Sequence, residues 1–159
     1  PLFGFSSATS TLVSNLMGEK RITDVPILIK RIVLMSILAT ASFLPILLIF
    51  PSQVTSIYTS STSLIEGAVK ILPVICGAML FFSIAFITFS SVTGTGKTLI
   101  TLSIEFVSIS IYLSFTYLFA LILDLSLVSV WSSEFIYFGF MGLLSILYLK
   151  FGNWKNSVI

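Results

Sequence analysis

Residues 81–98 read FFSIAFITFSSVTGTGKT, and two incompatible folds can be read into them. Gly96-Lys97-Thr98 matches the end of a phosphate-binding loop, which would make this a soluble α/β nucleotide-binding domain. That loop is G-x-x-x-x-G-K-[ST], with a strand before it and a helix after it. Here the opening position is Ser91, and an apolar run precedes it where the strand should be. The connection is also too short to leave room for a nucleotide. The other reading is a membrane-spanning helix that ends in a tight turn. Gly94 and Gly96 permit that turn, with positive φ where it is needed. Lys97 then sits at the interface and Thr98 starts the next helix. This reading excludes ATPase chemistry.

Composition supports the membrane. The chain is 57% hydrophobic and 9% charged, with a mean hydropathy of +1.14, whereas soluble domains carry about a quarter charged residues. A net charge of +2 is too small to suggest nucleic acid as a partner. With no His and a single Cys, Cys76, an internal disulfide and a His/Cys metal site are both excluded. Cys76 lies in an apolar run and reads as a buried, inert thiol. The opening PLFGFSSATSTL has no Met and no basic stretch, so it is no signal peptide. It reads as the interior of a longer protein.

A spanning helix needs about 20 mostly apolar residues. Segments 26–50, 68–91, 98–123 and 130–149 qualify, and 2–17 reads as a fifth, truncated one. The expected fold is therefore an all-α, polytopic transmembrane bundle with the lipid bilayer as its partner. Pro45 and Pro73 fall inside two spans, where kinks are expected. If the segments alternate, Lys20, Arg21, Lys30, Arg31, Lys97, Lys150 and Lys155 share one side, and only Lys70 lies on the other. The positive-inside rule then makes the C-terminus and the 18–25 loop cytoplasmic. Tyr148 and Trp154 suit one aromatic interface and Trp131 the other.

Four pieces, in order, resemble the C-terminal half of the multidrug and toxic compound extrusion (MATE) transporters. GFSSATSTLVSNLMGEKR (4–21) is similar to the family's eighth helix and its charged turn. LPILLIFPSQVTSIYTSSTSLIE (44–66) resembles the end of the ninth helix and its extracellular connection. SSVTGTGKT (90–98) resembles the Gly-x-Gly-(Asp/Lys)-Thr turn between helices ten and eleven. VWSSEFIYFGFMGLLSILYLKFGNWKN (130–156) resembles the twelfth helix with its Trp-rich tail. The resemblance implies part of a twelve-helix, two-lobe transporter, helices eight to twelve, whose partner is a missing N-terminal lobe. It also implies a multi-pass location in a bacterial inner membrane. Some members carry a coupling acid in the tenth helix; the equivalent here, KILPVICGAMLFFSIAFITFSS (70–91), has none. Its polar positions are Cys76, Ser83 and Ser90, and any coupling acid must lie elsewhere.

Ionisable groups at membrane depth are costly and are functional candidates by default. Glu105 lies eight residues past Lys97, roughly 12 Å into its helix at 1.5 Å per residue. It shares a polar stripe with Thr101, Ser108, Tyr112 and Thr116. A second stripe, Ser103, Ser110, Ser114 and Tyr117, lies nearly opposite, so the pattern alone does not choose the buried face. Glu105 is either a proton or cation site or a carboxyl tied to a neighbouring helix. Glu134 begins the last span on a face with Trp131, Phe138, Met141, Ser145 and Tyr148, and reaches interfacial water in the bland reading. Glu66 and Lys70 read as an i, i+4 ion pair. Gly139 and Gly142 read as a helix-packing face. Glu105, Tyr112, Ser108, Thr101, Glu134 and Ser83 are the candidate pathway residues.

Secondary active efflux is the expected function: export of drugs or other amphipathic or cationic small molecules by antiport with H+ or Na+, with no further cofactor. The 15 Phe suit aromatic walls for cationic compounds, though Phe also fills membrane cores. A lipid-linked saccharide flippase of the same superfamily is the alternative, but it would need several basic residues in the spans. A membrane assembly subunit without transport is a further class. No residue constellation supports an enzyme.

Overall fold

The computed structural model describes residues 2–155, and all regular structure among them is helical. The helices are α1 (Leu2–Gly18), α2 (Val25–Ile49), α3 (Pro51–Ser56), α4 (Thr62–Gly94), α5 (Thr98–Tyr117), α6 (Leu127–Trp131) and α7 (Ser133–Phe151). A 3-10 turn, Ile22–Asp24, leads into α2, and a π-helical turn, Leu118–Ile122, prolongs α5. Four stretches are long and apolar enough to cross a membrane: Ile22–Ile49, Thr62–Gly94, Thr98–Ile122 and Leu127–Phe151. With 17 residues, α1 stands at the lower edge of spanning length.

Local chemistry explains where the helices depart from the apolar pattern. Residues 51–67 read as a connection, yet they hold α3 and the first turn of α4. Proline disfavours the helical region for the residue before it. Phe50 accordingly sits at φ −121°, ψ 49°, and Pro51 opens α3 at a position where its missing N–H costs nothing. The 33 residues of α4 extend about 50 Å at 1.5 Å per residue, well beyond a hydrocarbon core of about 30 Å. It is therefore longer than the core it would cross. Both α2 and α4 run through their prolines, Pro45 and Pro73, without a break. The last apolar segment is interrupted at Ser132, where the Ser132 and Ser133 hydroxyls donate back to the Ser129 and Val130 carbonyls.

The bundle is organised around α4, which packs against α1, α2 and α7, while α5 leans mainly on α7. Small residues make these approaches possible, as expected where lipid removes the hydrophobic drive between helices. A Cβ on Gly142 would lie 3.2 Å from the Ala85 Cα, so the crossing of α4 with α7 depends on that glycine. Gly139 faces open space and takes no part. Gly94 also works differently from the expectation. A Cβ there would meet the Ser10 carbonyl oxygen at 2.7 Å, so it serves the α1–α4 contact. The left-handed turn residue is Gly96, at φ 76°. Ser83, Thr88, Ser90 and Ser91 are buried on α4, and their hydroxyls donate to carbonyls one turn back. Ser90 also meets the Ser6 hydroxyl of α1 at 2.5 Å.

Trp154 is packed inside the protein rather than presented outward in an aromatic belt. It is 1% exposed, packs with Val13, Met17 and Val25, and donates its Nε1–H to the Leu149 carbonyl at 2.7 Å. The chain after α7 thus folds back over the α1–α2 turn. That turn, the α4–α5 turn and the C-terminal residues gather at one end of the bundle with Lys20, Arg21, Lys97, Lys150 and Lys155. Arg21 bridges Glu19 and Asp24 at 3.1 and 2.9 Å. The hydrogen bonds to Glu19, then Asp24, push its pKa further up, so it stays charged. At the opposite end, Glu66 and Lys70 are both exposed and form no ion pair. A solvated i, i+4 pair gains too little to hold two long side chains together.

Candidate functional site

The site is built where α5 lies along α7. Of the two polar stripes on α5, the one through Glu105 turns inward. Ser108 is fully buried, and Glu105, Tyr112 and Thr116 are half-buried. Ser103, Ser110, Ser114 and Tyr117 are exposed, and the three serines satisfy themselves on their own helix. A serine hydroxyl finds a carbonyl one turn back, so serines sit on an outward face at little cost. A carboxylate finds no acceptor-free partner on its own helix and needs a donor from outside it.

Those donors are tyrosines. The Tyr137 hydroxyl of α7 donates to Glu105 Oε1 at 2.8 Å, and the Tyr112 hydroxyl of α5 donates to Glu134 Oε1 at 3.3 Å. The two bonds cross the helix interface in opposite directions, and the tyrosine rings lie 5.5 Å apart. One turn further on, Thr116 and Ser133 meet through their hydroxyls at 3.0 Å. Among the described residues neither acid is paired with Lys or Arg; the ion pairs are those of Arg21. Among the described residues the two carboxylates are therefore bound by neutral donors alone.

Glu134 also opens onto a cleft of about 200 Å³ between α4 and α7, walled by Ile75, Met79, Phe82, Trp131 and Phe138. Of the residues singled out from the sequence, the structure thus brings Glu105, Tyr112 and Glu134 together. It does not bring in Thr101, Ser108 or Ser83, whose hydroxyls donate to the Lys97, Ile104 and Leu80 carbonyls. Sequence reasoning missed Tyr137. It lies three residues after Glu134 on the same helix, and that spacing was the available signal.

A family model described as MatE matches residues 1–118, which is 118 of the 159 residues. The chain belongs to the MatE family. It is accordingly part of a family of polytopic helical membrane transporters, and its four long apolar helices fit a multi-pass membrane protein. No curated protein and no solved structure matches the chain. The MatE match takes in α1 to α5, with Glu105 and Tyr112. It ends before α7, so Glu134, Tyr137 and the tail lie beyond the matched residues; Asn156, the last residue of the twelfth-helix resemblance, lies outside the described ones.

Proposed function

We propose that this MatE chain forms one lobe of a secondary transporter that exports amphipathic or cationic compounds in exchange for H+ or Na+. The observation that carries the reading is the pair of carboxylates, Glu105 and Glu134, bound across α5 and α7 only by Tyr137 and Tyr112. Lone charges at membrane depth are expensive. Each charge is relieved when a proton or a cation binds, and that is what a coupling site requires. The aromatic walls beside Glu134 suit an organic cation, since ring faces attract positive charge. Residues 70–91 of α4 hold no acid, and its one carboxylate, Glu66, is exposed in the second turn, which leaves the acids of α5 and α7 as the candidates for ion exchange.

The test is efflux of a fluorescent organic cation from cells expressing the natural gene product, normalised to its amount in the membrane. Glu105→Gln and Glu134→Gln keep shape and hydrogen bonding while removing the charge. Each should lower efflux and flatten its pH dependence between about pH 6 and 8. Wild-type efflux from both variants across that range would reduce the pair to an inter-helix tie.

A further inference from the structure

The basic end of the bundle carries a groove that the transport reading does not use. Its volume is about 880 Å³, within the range of about 300–1,000 Å³ usual for ligand sites. α2, α4 and α7 form its walls, and they are apolar: Val33, Ile37, Ile84, Ile146 and Leu149 among them. Its mouth holds three cations, Lys30, Lys150 and Lys155. All three side chains are exposed, and no carboxylate pairs with any of them among the described residues. Two of the three lie near aromatic rings: Lys150 Nζ is 5.1 Å from the Phe151 ring and Lys155 Nζ 5.9 Å from that of Trp154.

Length and polarity identify the occupant. Along α2 the groove runs from Pro26 to Ile37, roughly 16 Å at 1.5 Å per residue. That is about half of a hydrocarbon core of about 30 Å, the depth of a single leaflet. An extended peptide would present backbone N–H and C=O groups to walls that offer almost nothing to bond them, and a helical one, which bonds its own backbone, would still leave three ammonium groups without an anion unless it brought one. The polar wall residue Thr88 already spends its hydroxyl on Ile84 and Ala85. An acyl chain asks for no such partner. The Lys positions then meet the headgroup, where a phosphate takes up several ammonium donors. Trp154 also gains a reason for its burial: it fixes the tail so that Lys155 is held at the mouth beside Lys150.

We propose that this groove binds an anionic phospholipid, with one acyl chain between α2 and α7 and its phosphate on Lys30, Lys150 and Lys155. The test uses the purified chain in detergent and native mass spectrometry of retained lipid. Phosphatidylglycerol and phosphatidylcholine with identical acyl chains are added in turn, with inorganic phosphate and an acidic peptide as competitors. Each basic residue near an anionic headgroup is worth roughly fivefold in affinity, so the K30Q/K150Q/K155Q variant should bind phosphatidylglycerol about a hundredfold more weakly. A K20Q/K70Q/K97Q variant, with the same charge change elsewhere, should bind like the wild type. Ile146→Trp should fill the groove and lower retention with the lysines intact; if that variant does not fold, the lysine pair of variants decides. Equal retention of the two lipids overturns the proposal. So does equal loss in both lysine variants, or displacement by inorganic phosphate or the acidic peptide as effective as by competing lipid.

Discussion

The bond from Tyr137 to Glu105 allows a quantitative test that needs no transport assay. Its length of 2.8 Å and its carboxylate acceptor mark it as charge-assisted. In soluble proteins such a bond contributes about 1.5–3 kcal/mol. Two features of the structure reduce that figure. Glu105 is half-buried, so its carboxylate is not wholly dependent on the tyrosine. The unfolded chain in a membrane environment also finds partners, and measured inter-helix bonds there average about 0.6 kcal/mol with a maximum of about 1.7. The expected coupling is therefore about 1 kcal/mol. The perturbations are Tyr137→Phe, which removes only the hydroxyl, and Glu105→Leu, which removes the acceptor; Gln is unsuitable because its carbonyl still accepts. Reversible unfolding in mixed micelles, titrated with a denaturing detergent, gives each free energy and that of the double variant. The single losses should exceed additivity by about 1 kcal/mol. Additivity within about 0.3–0.5 kcal/mol, the value for residues that do not interact, would refute the bond.

Three further outcomes are expected. Gly94→Ala should cost about 1–3 kcal/mol of stability by the same unfolding assay, because its Cβ would fall 2.7 Å from the Ser10 carbonyl and 2.8 Å from the Val13 Cβ; a neutral result would mean that α1 and α4 are not in contact there. Lys97→Ala should leave efflux unchanged and no ATP hydrolysis should be measurable, since the turn is a helix end followed by a left-handed glycine; ATP-dependent activity at this turn would restore the phosphate-loop reading. In a Cys76→Ser background, a cysteine at Ser60 should react with an impermeant thiol reagent from outside intact cells and one at Glu19 only after permeabilisation; the reverse would invert the orientation argued from Lys and Arg.

The long helices were legible because apolar runs longer than any strand leave one solution in lipid, where backbone groups must be satisfied within the segment. Helix ends were legible at Phe50, read to within one residue, and less so at the start of α4, which begins at Thr62 where the apolar run begins at 68. Hydropathy continues smoothly across Leu48, Ile49 and Phe50, and the helix ends before Pro51, although it runs through Pro45. Glycine roles were half legible. A sequence shows that Gly94 and Gly96 lack a Cβ, but not that one relieves a contact with another helix and the other a backbone torsion. Trp154 was misread for a related reason: an indole near a span end suits the interface equally well, until the turn at 152–155 puts it against Val13 and Val25.

The two stripes on α5 carry the argument further. They differ little in number of polar residues, five against four, and no periodicity could separate them. What separates them is the difference between a hydroxyl and a carboxylate. A serine brings both a donor and a nearby carbonyl to accept it, and so is self-sufficient on any face of a helix. A carboxylate is acceptor-only when ionised and must be given a donor by a neighbour. The stripe that contains the acid therefore has to face another helix, and that helix has to present a donor without a charge of its own if the acid is to remain free to exchange an ion. Tyr137 meets both conditions for Glu105, and Tyr112 meets them for Glu134. A lysine in either place would have given a firmer tie and a poorer ion site. The use of phenols where ammonium groups would bind more strongly is the feature of this interface on which the proposed ion exchange rests.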